Sequence, residues 1–367
     1  MIRLLRTSSF WCLIFLTSSC VFIPQGANYQ GPSALSAEQT AYYAYTHKNI
    51  TAQEVMLEDR TQYFLRRIHL ATEYGEVTVD YYQQKNSSPN LILVFPILGG
   101  NYFIENHFAD YFTVHGIDAA IVHRDLEFKK PKNVPNIEEI FRNSVIRDRI
   151  VMDYFQAQYG KESFASFGIS RGAINAAMTA GVDSRLEHNV FVLGGTDIVE
   201  VFKTSDQPGL EKYRRRVRSA LGITDDEFYK FLEKNIKTDP KNLSPAIDAR
   251  KTLLMLARFD HTVPYASGAK LREQIGDPET LIFLGNHYTT LIFTQMVKIL
   301  PPIEEFCLFP FDYVESEALR FYNRSFKTGK WRWKDVPLTF FHVPFDIGVK
   351  FYRLFTGVCG KDKVSTH

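Results

Sequence analysis

The pentapeptide Gly168-Ile169-Ser170-Arg171-Gly172 constrains this chain more than any other stretch. It follows the strand-like run Ser163-Phe164-Ala165-Ser166-Phe167 and precedes the helix-like run Ala173-Ile174-Asn175-Ala176-Ala177-Met178. A strand, a one-residue reversal and a helix leave little room at the corner, so small residues must flank the turning residue. Gly168 and Gly172 meet that need and hold the Ser170 hydroxyl out above a sheet. The helix N-terminus behind it favours negative charge developing nearby.

A serine hydroxyl is a poor nucleophile at neutral pH; it needs a base, and the base needs an orienting acid. Two later segments offer them. Lys251 to Ala257 reads as an apolar strand and runs into Arg258-Phe259-Asp260-His261-Thr262-Val263-Pro264. Thr280 to Leu284 reads as another and runs into Gly285-Asn286-His287-Tyr288. In a parallel sheet, sites form beyond the carboxyl ends of the strands, so Ser170, Asp260 and His287 are expected to converge on one edge.

With Gly168 to Gly172, Asp260 ahead of Val263-Pro264, and Gly285 to Tyr288 in this order, the chain resembles an α/β-hydrolase of the esterase/lipase type over roughly residues 60 to 300. The resemblance implies an α/β fold, with a mostly parallel central sheet, helices on both faces and a small helical cap insertion. It implies Ser170 as nucleophile, His287 as base and Asp260 as acid. It also implies an oxyanion hole of two backbone N–H groups. One belongs to Arg171, the residue after the nucleophile. The other belongs to the loop Pro96-Ile97-Leu98-Gly99-Gly100, where Leu98 is the donor and Ile97 its competitor. That loop departs from the family's more usual His-Gly pair, which a backbone donor tolerates.

Alternatives stand beside these assignments. Asp197, after Gly194-Gly195-Thr196, occupies a position where some hydrolases carry their acid, although Asp after a strand is commonly a helix N-cap. His261 reads as a loop or pocket-rim histidine. His107, His115, His123 and His188 lie in the wrong chain order for the base. The Arg171 side chain is expected to pair with a surface carboxylate; the other reading is a contact to an anionic acyl group.

The strand pattern supports the fold independently. Tyr63 to Ala71 and Glu76 to Gln83 read as strands around a turn at Glu73-Tyr74-Gly75. Leu91 to Phe95 and Asp118 to His123 are continuous apolar runs, as buried strands require. Phe141, Val145, Met152, Phe155 and Tyr159 recur at helical spacing until Gly160, and Asn189 to Leu193 supplies the strand after the Ser170 helix. The polar helical segment 198–249 reads as a cap, within a domain spanning residues 43–300.

Residues 1–19 read as a signal peptide. Arg3 and Arg6 precede a short apolar run, Phe10 to Leu16, and Leu16-Thr17-Ser18-Ser19-Cys20 resembles the bacterial lipobox, with the leucine one place further from the cysteine than usual. This implies lipid on Cys20 and a membrane-anchored lipoprotein of the bacterial envelope; a plain secretory signal is the alternative. Residues 20–42 read as a tether. Cys307 and Cys359 could then be bridged or separate in an oxidising compartment. Residues 301–367 form an extension rich in Phe and Trp with Arg and Lys between them, read as an irregular segment against the domain or a membrane-surface segment.

The sequence carries no metal-ligand spacing, phosphate loop or dinucleotide fingerprint, so no cofactor is expected. A formal charge of +2 over 367 residues does not suggest nucleic acid. The expected partner is a small-molecule ester, cleaved through an acyl-enzyme on Ser170. A peptidase or acyltransferase would use the same residues, and a non-catalytic envelope binding protein could use the same fold.

Overall fold

The computed structural model describes residues 20–46, 50–86, 88–97, 102–290, 294 and 313–327. Its elements in chain order are β1 (Cys20–Ile23), α1 (Ala37–Tyr42), β2 (Thr51–Asp59), β3 (Tyr63–Thr72), β4 (Gly75–Gln84), β5 (Asn90–Phe95), α2 (Phe103–Val114) and β6 (Asp118–Val122). Then follow α3 (Ile137–Tyr159), β7 (Ser163–Ile169), α4 (Arg171–Val182), β8 (Leu186–Val192), α5 (Ile198–Thr204), α6 (Pro208–Leu221), α7 (Asp225–Asn235) and α8 (Pro240–Leu243). Last come β9 (Thr252–Ala257), α9 (Tyr265–Ile275), β10 (Glu279–Phe283) and α10 (Tyr313–Phe326).

All ten strands form one sheet in the order β1-β10-β9-β8-β7-β5-β6-β4-β3-β2. From β10 to β6 every neighbouring pair is parallel. The apolar runs sit where burial on two faces demands them: β5, β6 and β9 are buried along their whole length. Two aromatic-rich layers flank the sheet. Phe108, Phe112 and Phe167 pack on one face with Phe321 and Tyr322, and Met152, Phe155, Phe164 and Phe191 pack on the other. Segment 198–249 does fold as helices, and Phe202, Tyr213, Phe228 and Leu232 pack it onto Phe141 and Met178.

The edges of the fold differ from the sequence reading. The expected tether, 20–42, is docked on the domain. β1 adds antiparallel to β10, with Cys20 opposite Phe283. The Tyr29 hydroxyl donates to the Ile247 carbonyl at 3.2 Å, and a capping box from Ser36 to Gln39 starts α1, which leads into the fully buried Tyr43. These ties are tertiary, which is why a polar segment without periodicity orders. β2 lengthens the opposite edge; every residue in it is exposed, and Glu54, Glu58 and Asp59 keep that edge charged against strand addition. The domain also extends past residue 300. α10 packs on the sheet, with Tyr322 buried and its hydroxyl donating to the Ser166 carbonyl at 2.7 Å. Trp331 to Phe355, Cys307, Cys359 and residues 1–19 lie outside the described residues.

Candidate active site

Ser170 sits at the corner between β7 and α4 with φ 56° and ψ −121°. A non-glycine residue there is strained, and such strain persists only where the surroundings enforce it. They do so through the two glycines. A Cβ on Gly168 would lie 2.4 Å from the Gly172 carbonyl carbon, and one on Gly172 would lie 2.1 Å from the Phe95 carbonyl oxygen. The corner is further pinned by the Ser170 N–H, which donates to the Val192 carbonyl at 2.8 Å.

The loops after β9 and β10 meet beyond the strand ends because the ladder continues between them. Arg258 N–H donates to the Phe283 carbonyl at 2.8 Å, and Phe259 N–H to the Gly285 carbonyl at 2.9 Å. His287 follows Asn286, whose side-chain oxygen accepts the Tyr288 and Thr289 N–H groups and fixes the turn. Asp260 is buried. One of its oxygens accepts the Thr262 and Val263 N–H groups at 2.9 and 3.0 Å, and the other accepts from His287 Nδ1 at 2.7 Å. A carboxylate only accepts, so Nδ1 carries a proton, which in the neutral imidazole leaves the lone pair on Nε2.

Ser170 and His287 line a single cavity of 530 Å³. Most of its wall is apolar: Ile97, Ile104 and Leu193 from the sheet side, and Val201, Phe202 and Leu210 from the helical segment 198–249. That segment therefore covers the site. The volume falls within the range of small-molecule sites.

Asp197 is engaged elsewhere. It caps α5 through the Glu200 N–H and pairs with Lys241 at 2.9 Å and Lys270 at 3.2 Å. It has a helix and two cations to serve, and among the described residues no hydrogen bond joins it to a histidine. His261 is exposed, next to the buried acid. Of the four earlier histidines, His123 binds Asp80 at 2.9 Å and His107 binds Glu315 at 2.8 Å.

Arg171 is the first residue of α4, so its N–H has no carbonyl one turn back to bond. The Leu98 donor lies outside the described residues. Its competitor Ile97 is occupied: its N–H donates to Glu105 Oε1 at 2.7 Å. Glu105 is a buried carboxylate whose burial holds its pKa above the ordinary glutamate value, with the Ile97 bond acting in the opposite direction. Sequence reading missed it. The available signal was a lone acid in the first turn of the helix after the Gly99-Gly100 loop. Tyr102, just before that helix, takes a left-handed φ of 49°.

The Arg171 side chain departs from expectation. Among the described residues, no surface carboxylate pairs with it. Its guanidinium lies over the Phe141 ring at 4.6 Å and the Phe128 ring at 5.5 Å, with no hydrogen bond or ion pair among the described residues. Burial pulls its pKa down to about 10; Asp239 opposes that effect and Arg124 adds to it. Among the described residues, no group of three or more His, Cys, Asp or Glu could hold a metal ion.

No family model and no curated protein matches the chain. Solved structures do. An acetyl xylan esterase from a Paenibacillus species superposes with a TM-score of 0.52 at 16% identity, covering 68% of this chain and 87% of the esterase. Acetyl xylan esterase 1 from a Thermoanaerobacterium species gives a TM-score of 0.54 at 11% identity, covering 72% of this chain and 94% of that one. At such identities the likeness concerns the fold alone. Together with the sheet order and the strand-corner-helix around Ser170, it gives the chain the α/β-hydrolase fold.

Proposed function

We propose that this protein is an esterase that cleaves carboxylic esters through an acyl-enzyme on Ser170. The observation that carries the reading is the 2.7 Å bond between Asp260 and His287 Nδ1, in a cavity that also contains the strained Ser170. His287 Nε2 takes the Ser170 proton as the hydroxyl attacks the ester carbonyl. Asp260 holds the imidazole in the productive tautomer and stabilises its charged form. The Arg171 N–H and the Leu98 N–H stabilise the tetrahedral oxyanion. Collapse expels the alcohol, which takes the proton from His287. Water, deprotonated by the same base, then releases the acid. The apolar wall suits an acyl chain, and the acetyl esterase activity named for the two structural relatives agrees with ester cleavage.

We further propose export, with lipid on Cys20 as the membrane anchor. The supporting feature is Ser18-Ser19-Cys20 behind a short apolar run. Because β1 starts at Cys20, the lipid would hold the domain against the bilayer at the β1–β10 edge.

A fluorophosphonate reacts only with an activated serine. It should label the wild-type protein at Ser170 and leave Ser170→Ala unlabelled. Equal labelling of the two, or none of the wild type, would sink the esterase reading.

A further inference from the structure

The cavity around Ser170 has a charge pattern that ester hydrolysis does not require. Four cationic side chains line it, Lys129, Arg171, Lys212 and Arg216, and no aspartate or glutamate is among the described residues of its wall. Lys212 and Arg216 stand one helical turn apart on α6, exposed, with no side-chain hydrogen bond or ion pair among the described residues. Several cations nearby are paired. Arg214 donates to the Phe202 carbonyl, and Arg218 pairs with Asp225. Arg147 and Arg124, in the small pocket that Arg171 also lines, pair with Asp125 and Asp148.

Arg171 is the informative member. Arg171 is partly buried, and a guanidinium drawn out of water favours a counter-ion or hydrogen-bond acceptors. Arg171 has no hydrogen bond or ion pair among the described residues; the Phe128 and Phe141 rings order it, and Asp239 acts on it through charge alone. Arg171 lines both the Ser170 cavity and the small pocket beside it, which places it next to the nucleophile. A cleft with low-dielectric walls and charges of one sign concentrates the oppositely charged ligand.

We propose that the site selects anionic amphiphilic esters, with the apolar part along the Val201, Phe202 and Leu210 wall and a carboxylate or phosphate-like group at Arg171, supported by Lys212 and Arg216. This rests on the esterase reading for turnover, but the anion site itself does not depend on catalysis. The charge could be carried by the acyl chain or by the leaving group, and substrates can separate the two.

Binding is measured first, by titration calorimetry of the intact protein with octanoate and with its neutral analogue octanamide. Octanoate should bind roughly 10- to 100-fold tighter, as one charge-assisted contact implies. Ser170→Ala should keep that preference. Arg171→Met should lose most of it, and Lys212→Gln/Arg216→Gln should lose part of it, which also covers the case of Arg171→Met failing to fold. Equal affinities for the two ligands would overturn the proposal. So would wild type that binds anionic vesicles but not octanoate, since the cations would then serve a membrane surface.

Turnover is the second arm. A 4-nitrophenyl ester with a terminal carboxylate on its acyl chain is compared with a neutral ester of equal length, and with a neutral acyl ester of a sulfonated nitrophenol. A kcat/KM advantage of roughly tenfold or more for one charged ester assigns the charge to that side. Fluorophosphonate labelling with no preference among the esters overturns the anionic class and leaves the esterase standing. Selective octanoate binding without labelling or turnover does the reverse.

Discussion

Asp260→Asn is the sharpest perturbation the geometry allows, because the outcome follows from which oxygen does what. One carboxylate oxygen accepts two backbone N–H groups, from Thr262 and Val263, and the other accepts from His287. An asparagine has one oxygen and one NH2. Facing two fixed donors, the oxygen must take the backbone side, since the NH2 there would leave three donors opposed. The NH2 then points at His287 Nδ1 and donates to it. That forces the imidazole proton onto Nε2, the atom that must receive the Ser170 proton. The base is thus present, correctly placed and in the wrong tautomer.

The expected loss is on the order of 10⁴-fold in kcat, about 5 kcal/mol of transition-state stabilisation. KM and thermal stability should change little, because the backbone caps persist. The assay is 4-nitrophenyl acetate turnover with purified protein, alongside unfolding by circular dichroism. Asp197→Asn is the control: it loosens α5 and the Lys241 and Lys270 pairs but leaves His287 alone. Asp260→Asn within tenfold of wild type, or Asp197→Asn as damaging as Asp260→Asn, would refute the reasoning.

Three further outcomes are expected. Gly172→Ala should destabilise by roughly 1–3 kcal/mol or more and abolish fluorophosphonate labelling, because its Cβ would meet the Phe95 carbonyl oxygen at 2.1 Å; wild-type Tm and labelling would contradict the close packing of the corner. Cys20→Ser should move the exported protein from the membrane fraction to the soluble fraction; continued pelleting after export would exclude lipid on Cys20 as the essential anchor. Burial works to raise the Asp183 pKa, but bonds from Arg185 and Arg149 hold it below 3.8 in the folded protein. A lowered carboxylate stabilises above its unfolded pKa and loses that contribution as pH falls through the folded value, so Asp183→Asn should cost roughly 1–3 kcal/mol at pH 7 and progressively less below about pH 4 in denaturant titrations; a pH-independent cost would be the wrong result.

What could be read from the sequence was the part determined over short distances. The corner at Ser170 needs glycines two residues to either side, and β5, β6 and β9 need unbroken apolar runs to be buried on both faces. The turns after β9 and β10 carry Asp260 and His287 at strand ends, where a parallel sheet gathers side chains. β2 was not legible, because an edge strand exposed along its length carries no alternation to detect. The Arg171 environment was also hidden. The rings that hold its guanidinium come from residues 128 and 141, tens of positions upstream, and only folding brings them beneath it.

The N-terminal segment gives a different reason for the limit. Ser36-Ala37-Glu38-Gln39 is a legible capping box, and it does start α1. Its neighbours are held by partners some 200 residues away: Tyr29 by Ile247 at one end of the segment, and Tyr43 by the Thr238 hydroxyl at 2.9 Å at the other. Both partners lie in or beside the helical segment 198–249, which covers the cavity, and Gln39 also donates to the Asn242 carbonyl at 3.1 Å. Residues 29 to 43 therefore strap the base of the cap to the domain. With lipid on Cys20, the segment between anchor and active-site cover would be a folded part of the enzyme, and the cavity would keep a defined orientation to the membrane. A free tether would leave that orientation random.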